Sequence, residues 1–197
     1  MSAHEHLEHA EHAESASHSG NKKIALLISV LAVFLAFSET LGKNAQTAAI
    51  TYNVTSNDLW AFFQAKTIRM TVLNTASEQL QLEADRAADP DLKAKLTKTI
   101  DTWKKLVARY DDDPSSQEGR KQLSERAREA EHRRELAMAR YHNYESASAA
   151  FQIGIVLASA EVITGMAALG WFAGTLGIVG LFFAGMGFWA PHAVHLF

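Results

Sequence analysis

The sequence predicts an all-α integral membrane protein, with three transmembrane helices and a long, coiled-coil-like helical hairpin between the first and second spans. Three observations carry this expectation. Residues 24–37 and 151–190 hold one formal charge between them, Glu161, whereas residues 43–150 hold 17 of the 19 Lys and Arg. A soluble globule interleaves apolar and charged residues at helical or strand period, so segregation into blocks points to lipid. No stretch of useful length alternates like a strand. Finally, no Pro or Gly interrupts residues 120–153, so one helix is expected to run from the charged block into the apolar one.

Taken in order, residues 1–21 form a polar tail, expected to be disordered, with imidazoles at His4, His6, His9, His12 and His18. Residues 22–42 have the length of a spanning helix, about 20 residues at about 1.5 Å each. An acidic tail ahead of Lys22 and Lys23, and the lack of a small-residue cleavage site, favour a retained anchor over a signal peptide. Residues 43–149 read as a charged helical domain outside the membrane. Within it Ser56, Asn57 or Asp58 offers a helix start, and Asp89 with Pro90 offers an N-cap and first helical position. Leu92, Leu96, Ile100, Trp103, Val107 and Tyr110 then keep helical spacing. The run "DDDPSSQEG" is a turn where the chain reverses. From Leu123 through Ala127, Ala130, Arg134, Ala137, Tyr141, Tyr144 and Ser148 to Phe151, steps of four and three describe a heptad seam. The last apolar block is about two spans long. It divides into helices at 150–170 and 174–191, with "LGWFAGTLG" as the turn and 192–197 as a short tail.

Helix association in lipid depends on small residues that let backbones approach. Each span offers such a seam. In the third it is Ala173, Gly177, Gly180, Ala184 and Gly187; in the second, Gly154, Ala158, Glu161, Gly165 and Ala168; in the first, Ala25, Ser29, Ala32, Ala36, Glu39 and Lys43. Two seams thus carry a Glu. On a lipid face Glu161 would cost about 3 kcal/mol, which places it against protein or a water-filled gap. It is a candidate for a proton or cation path, or for a structural hydrogen bond. Glu39, one turn before Lys43, can pair with it. By helical rise Glu161 lies roughly 10 Å deeper than Glu39, so the two are successive levels and not a dyad.

Other chemistry is sparse. The tail imidazoles His4, His6, His9 and His12 have a spacing that would hold zinc, nickel or copper weakly, but nothing packs behind them to fix a geometry. No other cofactor is expected. The absence of Cys excludes disulfides and thiol catalysis. A net charge of −3 with balanced acids and bases argues against nucleic acid. There is no phosphate loop, hydrolase elbow or helical zinc motif, so an enzyme is not expected. The most distinctive soluble motif is "NDLWAFFQAK", containing Asn57, Asp58, Trp60, Phe62, Phe63, Gln64 and Lys66; core packing is the commonest use of such a cluster, with a membrane surface or a second subunit as alternatives.

With a first span ending in "SETLGKNAQTAAI", then "NVTSNDLWAFFQAKTIR", a charged helical block and a two-span hairpin, the chain resembles the bacterial domain-of-unknown-function family 4337. The similarity runs from about Lys22 to the C-terminus. It implies a small bacterial inner-membrane protein without an assigned activity, so no site residues carry over. The functional expectation is an oligomeric scaffold or accessory subunit that presents its helical domain to a protein partner. The alternatives are an ion-coupled subunit using Glu161 and Glu39, and a metal- or pH-responsive sensor using the tail. Lys43, Arg133, Arg134 and Arg140 favour a cytoplasmic helical domain, while Lys22 and Lys23 favour a cytoplasmic N-terminus. The glycine seam of the third span suggests a homo-oligomer.

Overall fold

The computed structural model describes residues 3–191, with side chains from Lys22 to Pro191. The chain folds into four helices: α1 (Ala3–Arg86), α2 (Pro90–Asp111), α3 (Arg120–Thr164) and α4 (Ala167–Trp189). Three of them, α1, α3 and α4, are long and apolar enough to cross a membrane. The contacts divide the chain into two compact units: residues 1–48 with 136–197 (unit 1), and residues 49–135 (unit 2). Unit 2 is thus narrower than the expected charged domain of 43–149.

No helix begins at Ser56, Asn57 or Asp58, because α1 passes through them unbroken. Residues 43–85 contain neither Pro nor Gly, and a helix needs one of these, or a competing partner for its backbone, to stop. The buried or half-buried positions of α1 in unit 1 include Ile24, Ile28, Leu31, Leu35, Ser38, Gly42 and Ala45. Their steps of four and three make a heptad register, but not the expected one: Ala25, Ser29, Ala32, Ala36, Glu39 and Lys43 are all exposed. The small-residue face of the first span points outwards, and its leucine face points in.

The reason lies on the partner helices. Leu31 is 3% exposed, and a Cβ built on Gly154 or Gly177 would stand 3.2 or 2.8 Å from its methyl carbons. Phe151 is fully buried, and a Cβ on Gly180 would stand 2.6 Å from its ring. A Cβ on Gly187 would come within 2.9 Å of the ring of Tyr144. The large residues thus sit on α1 and α3 and the holes that receive them are glycines, mostly on α4. Leu31, Ala147 and Phe151 form the centre of unit 1, with Leu27, Leu35, Ile155, Phe183 and Ala184 around them.

The hairpin reverses earlier than expected. Helix α3 ends at Thr164 and α4 begins at Ala167, so the turn is at Gly165 and Met166, not within "LGWFAGTLG". Gly165 takes φ +71°, the left-handed conformation that stops a helix, and its N–H donates to Glu161 O at 2.8 Å. The glycines after it stay helical, so the chain there keeps its helical backbone bonds. The spans expected at 150–170 and 174–191 shift accordingly. Gly165 lies in the turn and Ala168 is an exposed residue of α4, so neither belongs to the second seam; Gly154 and Ala158 are buried as expected.

Unit 2 contains parts of α1 and α3 with α2. Asp89 caps α2, its carboxylate accepting from Asp91 N at 3.0 Å, and Pro90 follows at the first helical position. Ile100, Leu123, Ala127 and Ala130 are buried, whereas Leu92 is exposed. The turn after α2 is organised by Asp113. Its carboxylate accepts from Ser115 Oγ at 2.6 Å, Arg109 Nε at 3.0 Å and Ser116 N at 3.2 Å. These donors hold the Asp113 carboxyl well below the usual carboxylate range, with the Ser115 bond the largest cause. Gly119 closes the turn, since a Cβ there would overlap Asp113 N and the Gln122 amide oxygen.

Two outcomes follow from these contacts. Gly180→Val should destabilise the detergent-solubilised chain by about 1–3 kcal/mol, because the buried Phe151 ring has nowhere to move. Gly174→Ala, which points into open space, should be neutral or slightly stabilising. Denaturant titration followed by circular dichroism compares the two. Since Asp113 is depressed in the folded state, its contribution is complete above the ordinary carboxylate pKa of about 4 and is lost as pH falls towards the folded value. Asp113→Asn should therefore lower the melting temperature at pH 7 and flatten its decline between about pH 5 and pH 2.

Candidate functional site

Glu161 lies one turn before the end of α3 and is half-buried. Its carboxylate rests against the first turn of α4, so close to Gly170 that any Cβ there would overlap it. The absence of a side chain at Gly170 is what gives Glu161 room. The first turn of a helix carries unpaired N–H groups and the positive end of the backbone dipole, a favourable place for a carboxylate. Its Oε2 is nevertheless buried without a hydrogen-bond partner among the described residues. Glu161 thus belongs to the tip of the hairpin and not to the middle of a span.

Glu39 is exposed and accepts from Gln152 Nε2 at 3.3 Å. Gln152 precedes Glu161 by nine residues on α3, a rise of about 13 Å, so the two carboxylates sit at separate levels as expected. The partner expected for Glu39 differs: among the described residues no ion pair joins it to Lys43.

The packing seams fare unequally. Ala173, Gly177, Gly180 and Gly187 are buried and Ala184 is half-buried, all within unit 1. Leu31, Phe151 and Tyr144 of the same chain cover Gly177, Gly180 and Gly187. The third-span seam therefore closes the fold of one chain, and is not a free surface for a second copy.

The motif "NDLWAFFQAK" is occupied inside unit 2. Trp60 Nε1 donates to Glu131 Oε1 at 2.8 Å, and its ring meets Phe63 edge-on at 5.4 Å. Lys66 is only 7% exposed; its ammonium lies 5.1 Å from the Phe62 ring centre, 4.8 Å from that of Tyr110 and 4.0 Å from a Glu118 oxygen. Arg120 stacks on Phe63 at 4.9 Å and reaches Asp111 at 3.7 Å. Cations held over aromatic faces can be desolvated at lower cost than bare ones, which is how a Lys comes to be buried here. Asn57, Asp58 and Gln64 are exposed. Trp60 and Lys66 stand out in the sequence, whereas the parts that Glu131, Tyr110 and Arg120 play beside them do not. Glu131 stands 71 residues from Trp60, and no local spacing announces that pairing.

His4, His6, His9 and His12 lie outside the residues whose side chains are described. Among the described residues no group of three or more His, Cys, Asp or Glu is placed to hold a metal ion.

The fold and these arrangements define an all-α protein with three membrane-length apolar helices and a charged helical unit locked by its own polar residues. The chain belongs to the family described as a domain of unknown function, DUF4337, whose model matches residues 20–190. No curated protein and no solved structure gives a match.

Trp60→Phe leaves Glu131 without its closest donor and should destabilise unit 2 by about 1–2 kcal/mol. Urea melts of the full chain check this. A Trp60 that served only an external partner would leave the melt unchanged.

Proposed function

We propose that the chain is a multi-pass protein of a bacterial inner membrane, a non-enzymatic scaffold or accessory subunit that presents unit 2 to a protein partner on the cytoplasmic side. One observation carries the membrane placement. In the most apolar windows of α1, α3 and α4 only 11%, 33% and 17% of residues are buried within the chain, leaving apolar faces that water would not tolerate. Two aromatic positions support it. Trp171 and Trp189 are 80% and 82% exposed and 18 residues apart on α4. That separation is a rise of roughly 27 Å, close to the thickness of a bilayer core with Trp at each interface. Self-association belongs to the same reading, and its surface is the exposed small face of the first span, from Ala25 to Ala36, instead of the third-span glycines.

A second reading, an ion-coupled subunit, is favoured by the unpaired buried oxygen of Glu161. Its place beside the first turn of α4 weighs towards the structural role.

Alkaline carbonate washing should leave the chain in the membrane pellet, and a cysteine introduced at Ser116 should resist an impermeant label until cells are opened. Release by carbonate would overturn the placement. In proteoliposomes the scaffold reading expects no Glu161-dependent flux; a proton or cation flux abolished by Glu161→Gln, with assembly intact, replaces it with the second reading.

A further inference from the structure

We propose that unit 1 carries a binding site for the headgroup of a zwitterionic aminophospholipid, in a cleft between α1 and α3 where both helices change from apolar to charged. The proposal rests on the membrane placement argued above. The cleft has a volume of about 280 Å³. Its floor is made by Ser38, Gly42 and Ser148, all buried and all small. Its rim carries Glu39, Lys43, Tyr141 and Glu145.

The level of this cleft is fixed by contacts within unit 1. The apolar run of α1 ends at Glu39, the first charge after Lys23. On the neighbouring side, Asn143 Nδ2 donates to Pro191 O at 3.1 Å, which brings the α3 turn before Glu145 level with the end of α4 just after the exposed Trp189. A tryptophan at a helix end and a first charge on the adjacent helix mark the depth at which phosphate and amine groups of lipids lie.

The rim has the charges such a headgroup requires. Lys43 has no ion pair among the described residues and offers three donors to a phosphate. Each carboxylate is held by one of its oxygens: Glu39 Oε1 accepts from Gln152 Nε2 at 3.3 Å, and Glu145 Oε1 accepts from the Tyr141 hydroxyl at 3.2 Å. The second oxygen of Glu145 stands 3.6 Å from His142 Nδ1, and Glu39 makes no ion pair among the described residues. One cation beside two oriented carboxylates matches a phosphate joined to a primary ammonium. A choline group has no N–H to donate and is recognised by a cage of aromatic rings, whereas this cleft has one, Tyr141. A lipid with phosphate but no ammonium would set its charge against two carboxylates and a single lysine.

The test uses the full chain in detergent, incubated with equal amounts of phosphatidylethanolamine, phosphatidylcholine and phosphatidylglycerol, with retained lipid counted by native mass spectrometry. Phosphatidylethanolamine should be retained about fivefold over phosphatidylcholine, the worth of partly exposed ion pairs. The Glu39→Gln, Glu145→Gln double variant should lose that preference, and Lys43→Ala should weaken retention of phosphatidylethanolamine. Glu145→Gln alone spares the Glu39–Gln152 bond, so it supplies the result if the double variant loses helix content by circular dichroism. Equal retention of the three lipids, a preference for phosphatidylglycerol, or an undiminished preference in the variants would overturn the site. Flotation of the wild-type chain on vesicles of phosphatidylcholine alone reads the membrane placement separately. Flotation without headgroup preference removes this site only, whereas failure to float removes the placement as well.

Discussion

Large side chains seated on glycine backbones hold unit 1 together. Lipid tails are as apolar as Leu, so helices in a bilayer gain little from burying apolar surface, and close contact must supply the attraction. Leu31 stands against Gly154 and Gly177, Phe151 against Gly180, and Tyr144 against Gly187. Each pairing lets a helix approach where a Cβ would hold it away. The outward faces, such as Val33, Phe37, Ile178 and Phe182, are apolar but take no part in these contacts. This constraint also explains why the glycines of α4 do not break the helix. Gly177, Gly180 and Gly187 are closely approached, and the helix continues through them.

Unit 2 solves a different problem with different residues. It has few large apolar side chains in its core, with Ile100 and Leu123 the only large ones fully buried there. Its specificity comes from polar groups held in one arrangement: Trp60 on Glu131, Lys66 between Phe62 and Tyr110, and Asp113 within its three donors. Such groups are costly when misplaced, so they fix the register that a core of alanines and leucines alone would leave loose. The motif that carries the family resemblance is therefore largely a set of internal locks.

Much of this was legible in the residues. The segregated charge, the Asp89–Pro90 start of α2, the reversal after Asp111 and the unbroken passage of α3 are local matters of propensity and punctuation, and each stands where the sequence puts it. The heptad from Leu123 to Phe151 was legible because its opposite face is strongly charged. Which face of the first span packs within the chain was not legible, for the converse reason. Both of its faces repeat in steps of four and three, one in alanines and one in leucines, so periodicity could not choose between them. The choice is made on α3 and α4, whose glycines need a large partner. Within one chain the small residues mark the contact on the helices that supply the holes, whereas on the first span they are left facing outwards.

The same long-range dependence changes the meaning of Glu161. Within its own segment it reads as a carboxylate stranded among apolar residues, which is why it invites an ion pathway. The left-handed Gly165 brings the first turn of α4 back against it, and Gly170 leaves the space for its side chain. A carboxylate facing a helix N-terminus meets the partial positive charge of the backbone dipole there. One oxygen stays unpaired, and that atom is the point at which a structural acid and a conducting one would differ. A structural carboxylate needs only the neighbouring turn of α4, whereas a conducting one needs a route to water at the level of Glu39. Glu161 lies about 13 Å along α3 from Gln152, the partner of Glu39, with the buried Ala158 and Gly154 between them. The packing that holds the hairpin closed is thus the same packing that separates the two acids.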